Sequence, residues 1–164
     1  MSAPPDLDRG EIPVSPVHAG PSASVPVAAL MSRPLITITP EADLWQARAA
    51  MAAHGVHHLL VDDRGKIVAI VSDRDIAHRL SPTAGRGTST RHEEEAMRRR
   101  VVQIASFDIV SVPDTATIEE AAALLLERNI SSLVVTDAGG AYVGIVTTRD
   151  LMRGLLACVL PHAA

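Results

Sequence analysis

The chain is poor in aromatic residues: Trp45, Phe107 and Tyr142 are the only ones, 2% of 164 residues. The stacking platforms that hold single-stranded nucleic acids are therefore missing. A core must be built from Val, Ile, Leu, Ala and Met, and a bound nucleobase would rest on aliphatic side chains. Cysteine is nearly absent as well. Cys158 stands alone, which excludes an intrachain disulfide and suits a reducing, cytoplasmic setting. There is no basic excess: the formal net charge is −4, which argues against nucleic acid as a partner. No stretch reaches the roughly 18 apolar residues of a membrane span. The opening segment, "MSAPPDLDRGEIPVSPVHAGPSAS", lacks the basic-then-apolar order of a signal peptide. Enzyme constellations are missing too. The chain has no G-x-S-x-G, no Walker loop, no G-x-G-x-x-G and no Cys–His or Ser–His pair with a credible third member. Cys158, in "GLLACVL", reads as a packed small residue. A non-enzyme is expected.

What is present is a phrase written twice: "VAIVSDRDI" at 68–76 and "VGIVTTRDL" at 143–151. Sliding the chain on itself extends the match. "VAALMSRPLITI" (27–38) falls over "VVQIASFDIVSV" (101–112) at a register of 74, and one extra glycine in "GG" (139–140) shifts it to 75. The insertion falls at a turn, where insertions are well tolerated. Each copy starts with an extended segment, "LITIT" or "IVSVP". A helix follows, with Asp43/Gln46 or Thr117/Glu120 at capping-box spacing. Leu44, Ala47 and Met51, and Ile118, Ala121 and Leu125, recur at helical period. Gly55 and Asn129 then suit a left-handed helix exit. Two short strands joined by "DRG" or "DAGG" come next, and a last helix begins near Asp75 or Asp150.

The expected fold is α/β, two β-α-β-β-α repeats, each a cover for the other's sheet. The expected map is a disordered segment at 1–25, repeat 1 at 26–80, a linker with a short helix at 81–100, and repeat 2 at 101–160. In the linker, "RHEEEAMRRR" has acids first and bases last, which suits the helix dipole. Arg98–Arg100 read better as a solvated face than as a phosphate site.

Two stretches could carry chemistry. "SDRD" (72–75) and "TTRD" (147–150) can be read as helix caps, with Ser72 or Thr147 accepting from the N–H three residues on. They can equally be read as a ligand clasp. A helix N-terminus attracts anions, and a short carboxylate there can accept from the two hydroxyls of a ribose. Against a pure cap stands the preference of capping boxes for the longer Glu or Gln. The second stretch is "HGVHHLLVDD". His54, His57 and His58 could meet a metal only on one continuous helix, which Gly55 argues against, and the second copy has Ser131 and Ser132 there. No metal is expected. An anion-facing role and an ordinary exposed pair both remain open.

Taken together, "GVHHLLVDDRGKIVAIVSDRDI" and "NISSLVVTDAGGAYVGIVTTRDL", each with its preceding strand and helix, resemble a tandem pair of CBS domains, the regulatory modules named after cystathionine β-synthase. The resemblance spans about residues 26–159. It implies a pseudo-twofold unit with two clefts for adenosine-containing ligands: AMP, ADP or ATP first, S-adenosylmethionine or NAD(H) as further candidates, and no required cofactor. It implies ribose contacts from Asp75, Asp150, Ser72 and Thr147. Phosphate contacts would come from His57, His58, Arg74, Ser131, Ser132 and Arg149. The adenine would lie against Thr37, Ile38, Ser111 and Val112. It further implies a homodimer and a free-standing sensor, or a subunit that regulates some other protein, with ligand-free dimerisation or partner docking as the alternative. Ala69 stands where the second copy has Gly144, and the added methyl is expected to narrow the ligand's approach to that strand, so the two sites should be unequal.

Overall fold

The structure, a computed structural model, describes residues 25–80 and 90–159. Residues 1–24 of the expected disordered segment (1–25), the loop over 81–89 and the side chain of Cys158 lie outside the described residues, while Val25 is placed. Repeat 1 contains β1 (Thr37–Ile38), α1 (Leu44–His54), β2 (His58–Asp63), β3 (Lys66–Ser72) and α2 (Asp73–Leu80). A connecting helix, α3 (Thr90–Met97), leads to β4 (Ser111–Pro113), α4 (Ile118–Arg128), β5 (Ser132–Thr136), β6 (Tyr142–Thr147) and α5 (Thr148–Val159). Each repeat forms a three-stranded sheet in chain order, with the first strand parallel to the second and the second antiparallel to the third.

Local chemistry accounts for the element ends. Asp43 accepts from the Gln46 N–H at 2.8 Å and Gln46 Oε1 accepts from the Asp43 N–H at 3.0 Å. Thr117 and Glu120 make the same reciprocal pair. Both helices leave through a left-handed residue, Gly55 (φ 64°) and Asn129 (φ 52°). Their buried positions are Leu44, Ala47 and Met51, and Ile118, Ala121 and Leu125. α3 ends at Met97, earlier than the charge pattern implies. The chain turns there because the Arg99 carbonyl accepts from Leu44 N–H and Arg100 bridges Asp43. Arg98–Arg100 are exposed and follow the helix rather than complete it.

Each repeat has its own apolar core. Leu59, Val61, Ala69 and Val71 alternate along β2 and β3 toward the helices of repeat 1, and Leu133, Val135 and Val146 do the same in repeat 2. The other sheet faces turn toward each other across the pseudo-twofold axis, with Leu60 and Val134 both 1% exposed. The expected mutual cover therefore applies to one face of each sheet, while helices cover the other.

The segments leading into the repeats are exchanged. Residues 25–32 form a strap with a single 3₁₀ turn at Val27–Ala29, and the strap lies on repeat 2. Val27 N–H donates to Ala116 O, Val25 O accepts from Ile118 N–H, and Ser32 pairs with Ile145 in both directions. The equivalent strap, with its 3₁₀ turn at Val101–Gln103, lies on repeat 1. Val101 N–H donates to Ala42 O, and Ser106 pairs with Ile70. Val27 and Val101 are fully buried, each in the core of the repeat that follows or precedes its own.

Candidate functional site: two interrepeat clefts

Two clefts open between the repeats, and each is a composite. The larger, about 350 Å³, sets Pro34, Ile36, Val56, His57 and His58 of repeat 1 against Ile145, Thr147, Thr148, Arg149 and Asp150 of repeat 2. The smaller, about 200 Å³, sets Asp108, Val110, Ile130, Ser131 and Ser132 of repeat 2 against Ile70, Ser72, Arg74 and Asp75 of repeat 1. The front half of one copy thus faces the back half of the other. His57 shares a cleft with Asp150 and not with Asp75, while His58 reaches both.

The doubled hydroxyl–Asp turn has the same geometry twice. Asp75 Oδ2 accepts from Ser72 N–H at 2.7 Å and from Ser72 Oγ–H at 2.6 Å, while Ser72 Oγ accepts from Asp75 N–H at 3.2 Å. Asp150 Oδ2 accepts from Thr147 N–H at 2.9 Å and from Thr147 Oγ1–H at 2.7 Å, with the return bond at 3.3 Å. The short Asp arm therefore does close a capping box, because the hydroxyl residue ends a strand and brings its N–H toward the helix. Only one carboxylate oxygen is used. Oδ1 of Asp75 has no hydrogen bond among the described residues, and Oδ1 of Asp150 lies 4.0 Å from Arg153 Nη1. Cap and clasp are compatible.

The two histidines differ. His57 is exposed and its Nδ1 lies 2.7 Å from Asp73 Oδ2 at the start of α2. His58 and Ser131 line both clefts and meet between them, Nε2 to Oγ, at 3.4 Å. Burial pushes the His58 imidazole below its usual 6.5, helped by His57 and Arg74 and opposed by the carboxylates of Asp73 and Asp75. Among the described residues no three His, Cys, Asp or Glu side chains gather as metal ligands would.

Thr37, Ile38, Ser111 and Val112 do not line either cleft. Ile38 and Val112 pack into the two cores, and Thr37 and Ser111 are exposed. The cleft is lined instead by the equivalent pair Ile36 and Val110, two residues earlier, just before each parallel strand begins. Ser32 and Ser106, the last residues of the straps, also line the larger and smaller cleft respectively, and sequence reasoning missed them. Their only signal was their equivalence under the repeat register. Gly144 does not open room for a ligand. A Cβ there would fall on Met31 Sδ and lie 3.2 Å from Ser32 O, so the strap fills that space. In repeat 1 the same two positions hold Ala69 and Ala105, a pair with less side-chain volume than Met31 and Gly144.

The sequence profile of the CBS domain matches residues 27–82 and 95–157. The chain belongs to the CBS-domain family. A CBS domain-containing protein of Dictyostelium discoideum is 32% identical over 137 residues, 82% of this chain and 94% of its own length. A CBS domain pair, that of protein MJ0100, solved in complex with 5′-methylthioadenosine and S-adenosyl-L-methionine, is 25% identical. It superposes with a TM-score of 0.64 over 80% of this chain and 99% of its own. The match to an inosine-5′-monophosphate dehydrogenase of Thermoplasma acidophilum is 28% identical over 75% of this chain but covers only 22% of that enzyme. Among the described residues, no helix of this CBS pair is long and apolar enough to cross a membrane.

Proposed function

We propose that this CBS pair is a non-catalytic, ligand-sensing regulatory module that takes an adenosine-containing ligand, with AMP, ADP or ATP as the leading class, in its interrepeat clefts. The observation that carries this reading is the doubled hydroxyl–Asp turn, in which one carboxylate oxygen caps the helix and the other has no partner in the cap. A ribose diol supplies two O–H donors suited to that oxygen. Opposite it, His57 and His58, or Ser131 and Ser132, offer donors to a phosphate, aided by Arg149 or Arg74. The base would rest on aliphatic walls such as Ile36 and Ile145. The adenosine compounds bound by the solved relative support the class of ligand. A ligand that touches both repeats binds one relative arrangement better than another and shifts the population toward it.

Calorimetric titration with AMP, ATP, S-adenosylmethionine and NADH tests the reading. Asp150→Asn should weaken binding about tenfold or more, since a hydrogen bond to a charged acceptor contributes about 1.5–3 kcal/mol. Failure of every adenosine compound to bind would overturn it.

A second reading has its own observation. Leu126 of α4 and Met152, Leu155 and Leu156 of α5 are exposed apolar side chains on two helices that pack together. Such a face fits a second copy of this chain in a closed twofold pair. Sedimentation that finds only monomer at micromolar concentration, with and without nucleotide, would dispose of the dimer.

A further inference from the structure

The repeat register carries the rim of one cleft onto the rim of the other, and charge is where the two differ most. Pro34 lines the larger cleft, and its counterpart in the repeat register, Asp108, lines the smaller. The larger cleft holds Arg149 and Arg153 against one carboxylate, Asp150, and has two imidazoles. The smaller holds one guanidinium, Arg74, against two carboxylates, Asp75 and Asp108, and has His58 alone. Asp108 is exposed and makes no ion pair among the described residues. In a cavity of about 200 Å³ any bound anion stays within a Debye length of Asp108, about 10 Å at 0.1 M salt.

We infer that the two clefts sort adenosine ligands by charge: the Asp150 cleft takes the phosphorylated member, and the Asp75 cleft takes one that is uncharged or cationic where the phosphate would be. Asp108 is the residue that determines this specificity. It repels a phosphate and leaves a neutral nucleoside unaffected, and the smaller volume favours the smaller compound. The inference rests on the adenosine reading above.

The test uses the full chain with AMP and adenosine as probes. AMP should titrate one site per chain, weakened about tenfold or more in Asp150→Asn, and adenosine should then fill a second site on AMP-saturated protein. Asp108→Asn, a change at an exposed position, should tighten AMP at the second site about three- to tenfold, as expected for one unit charge removed several Å away in a largely aqueous dielectric. Adenosine affinity should not move, and the gain should shrink as salt is raised. Two equal AMP sites in the parent, or a second AMP site indifferent to Asp108→Asn, would overturn the charge sorting while the adenosine reading stood. If neither AMP nor adenosine binds the parent, the sorting falls, and the adenosine reading falls with it when ATP, S-adenosylmethionine and NADH also fail to bind.

Discussion

At the scale of single residues, each of the two aspartates caps a helix and, in the proposed function, also holds the ligand, and the two roles separate by substitution. Asp75→Ala removes the acceptor for Ser72 N–H and should cost about 1 kcal/mol of stability, the ordinary cost of a lost cap. Asp75→Asn can turn its amide so that the carbonyl keeps the cap and the NH₂ faces the cleft. Its melting temperature should stay near that of the parent while ligand affinity falls. Equal melting losses in both variants would contradict this division. His58 supplies a pH dependence of known sign. Unfolded, it titrates near 6.5; folded, burial holds it lower. As pH falls through 6.5 the unfolded chain takes up the proton first, so the stability contributed by the buried neutral ring is complete above 6.5 and lost as pH falls toward the folded value. His58→Ser, which copies Ser132, should therefore flatten the melting temperature against pH between 7 and 5. An unchanged slope would mean that the imidazole is not desolvated. A phosphate brought beside His58 raises its affinity for a proton, so phosphate ligands should bind more tightly as pH drops toward 6. Asp75, Asp150 and the histidine pair stood out in the sequence because the repeat wrote them, or their counterparts, twice, and all four line the clefts. Their grouping was not, because it depends on which halves face each other.

At the scale of elements, most of the fold was readable, and for local reasons. Capping boxes, left-handed exits and period-two strands are decided within a few residues. The apolar triads of α1 and α4 could be read directly from their spacing. Thr37, Ile38, Ser111 and Val112, which lie outside the cleft walls, show the limit of such reasoning. The sequence makes "TI" and "SV" plausible strand residues, and they are strand residues, but pairing in parallel with β2 and β5 turns Ile38 and Val112 into the cores. Gly144 carries a further consequence. Gly144→Ala should destabilise by about 1–3 kcal/mol through overpacking against Met31. Combined with Met31→Ala it recreates the Ala69/Ala105 arrangement, and the double variant should cost less than the two single changes added together. Denaturant midpoints of the four proteins would measure this, and strict additivity would mean that the strap adjusts without cost.

At the scale of the whole molecule, the straps decide what a repeat is. Equivalence under the register assigns residues 26–32 to the first copy, yet Val27 completes the core of the second. No period in the sequence reveals that exchange, because a duplicated chain looks the same whether its segments pack at home or across. Val27→Ala should therefore raise amide exchange first in β5 and β6, and Val101→Ala first in β2 and β3. Loss of protection in the home repeat instead would overturn the assignment.

The exchange also routes mechanical load. The first described residue, Val25, is fastened to Ile118, and the chain from there to Ser32 is bound to the same repeat that carries α5 near the other end. Tension applied between residue 25 and residue 159 enters and leaves through repeat 2, and repeat 1 hangs as an unloaded bight of chain. Nothing in repeat 1 bears force until the strap peels from Ala116 and Ile145. Because the strap ends at Ser32, in the wall of the larger cleft, pull at that end reaches the Asp150 cleft directly, while the Asp75 cleft, walled by the other strap, stays slack.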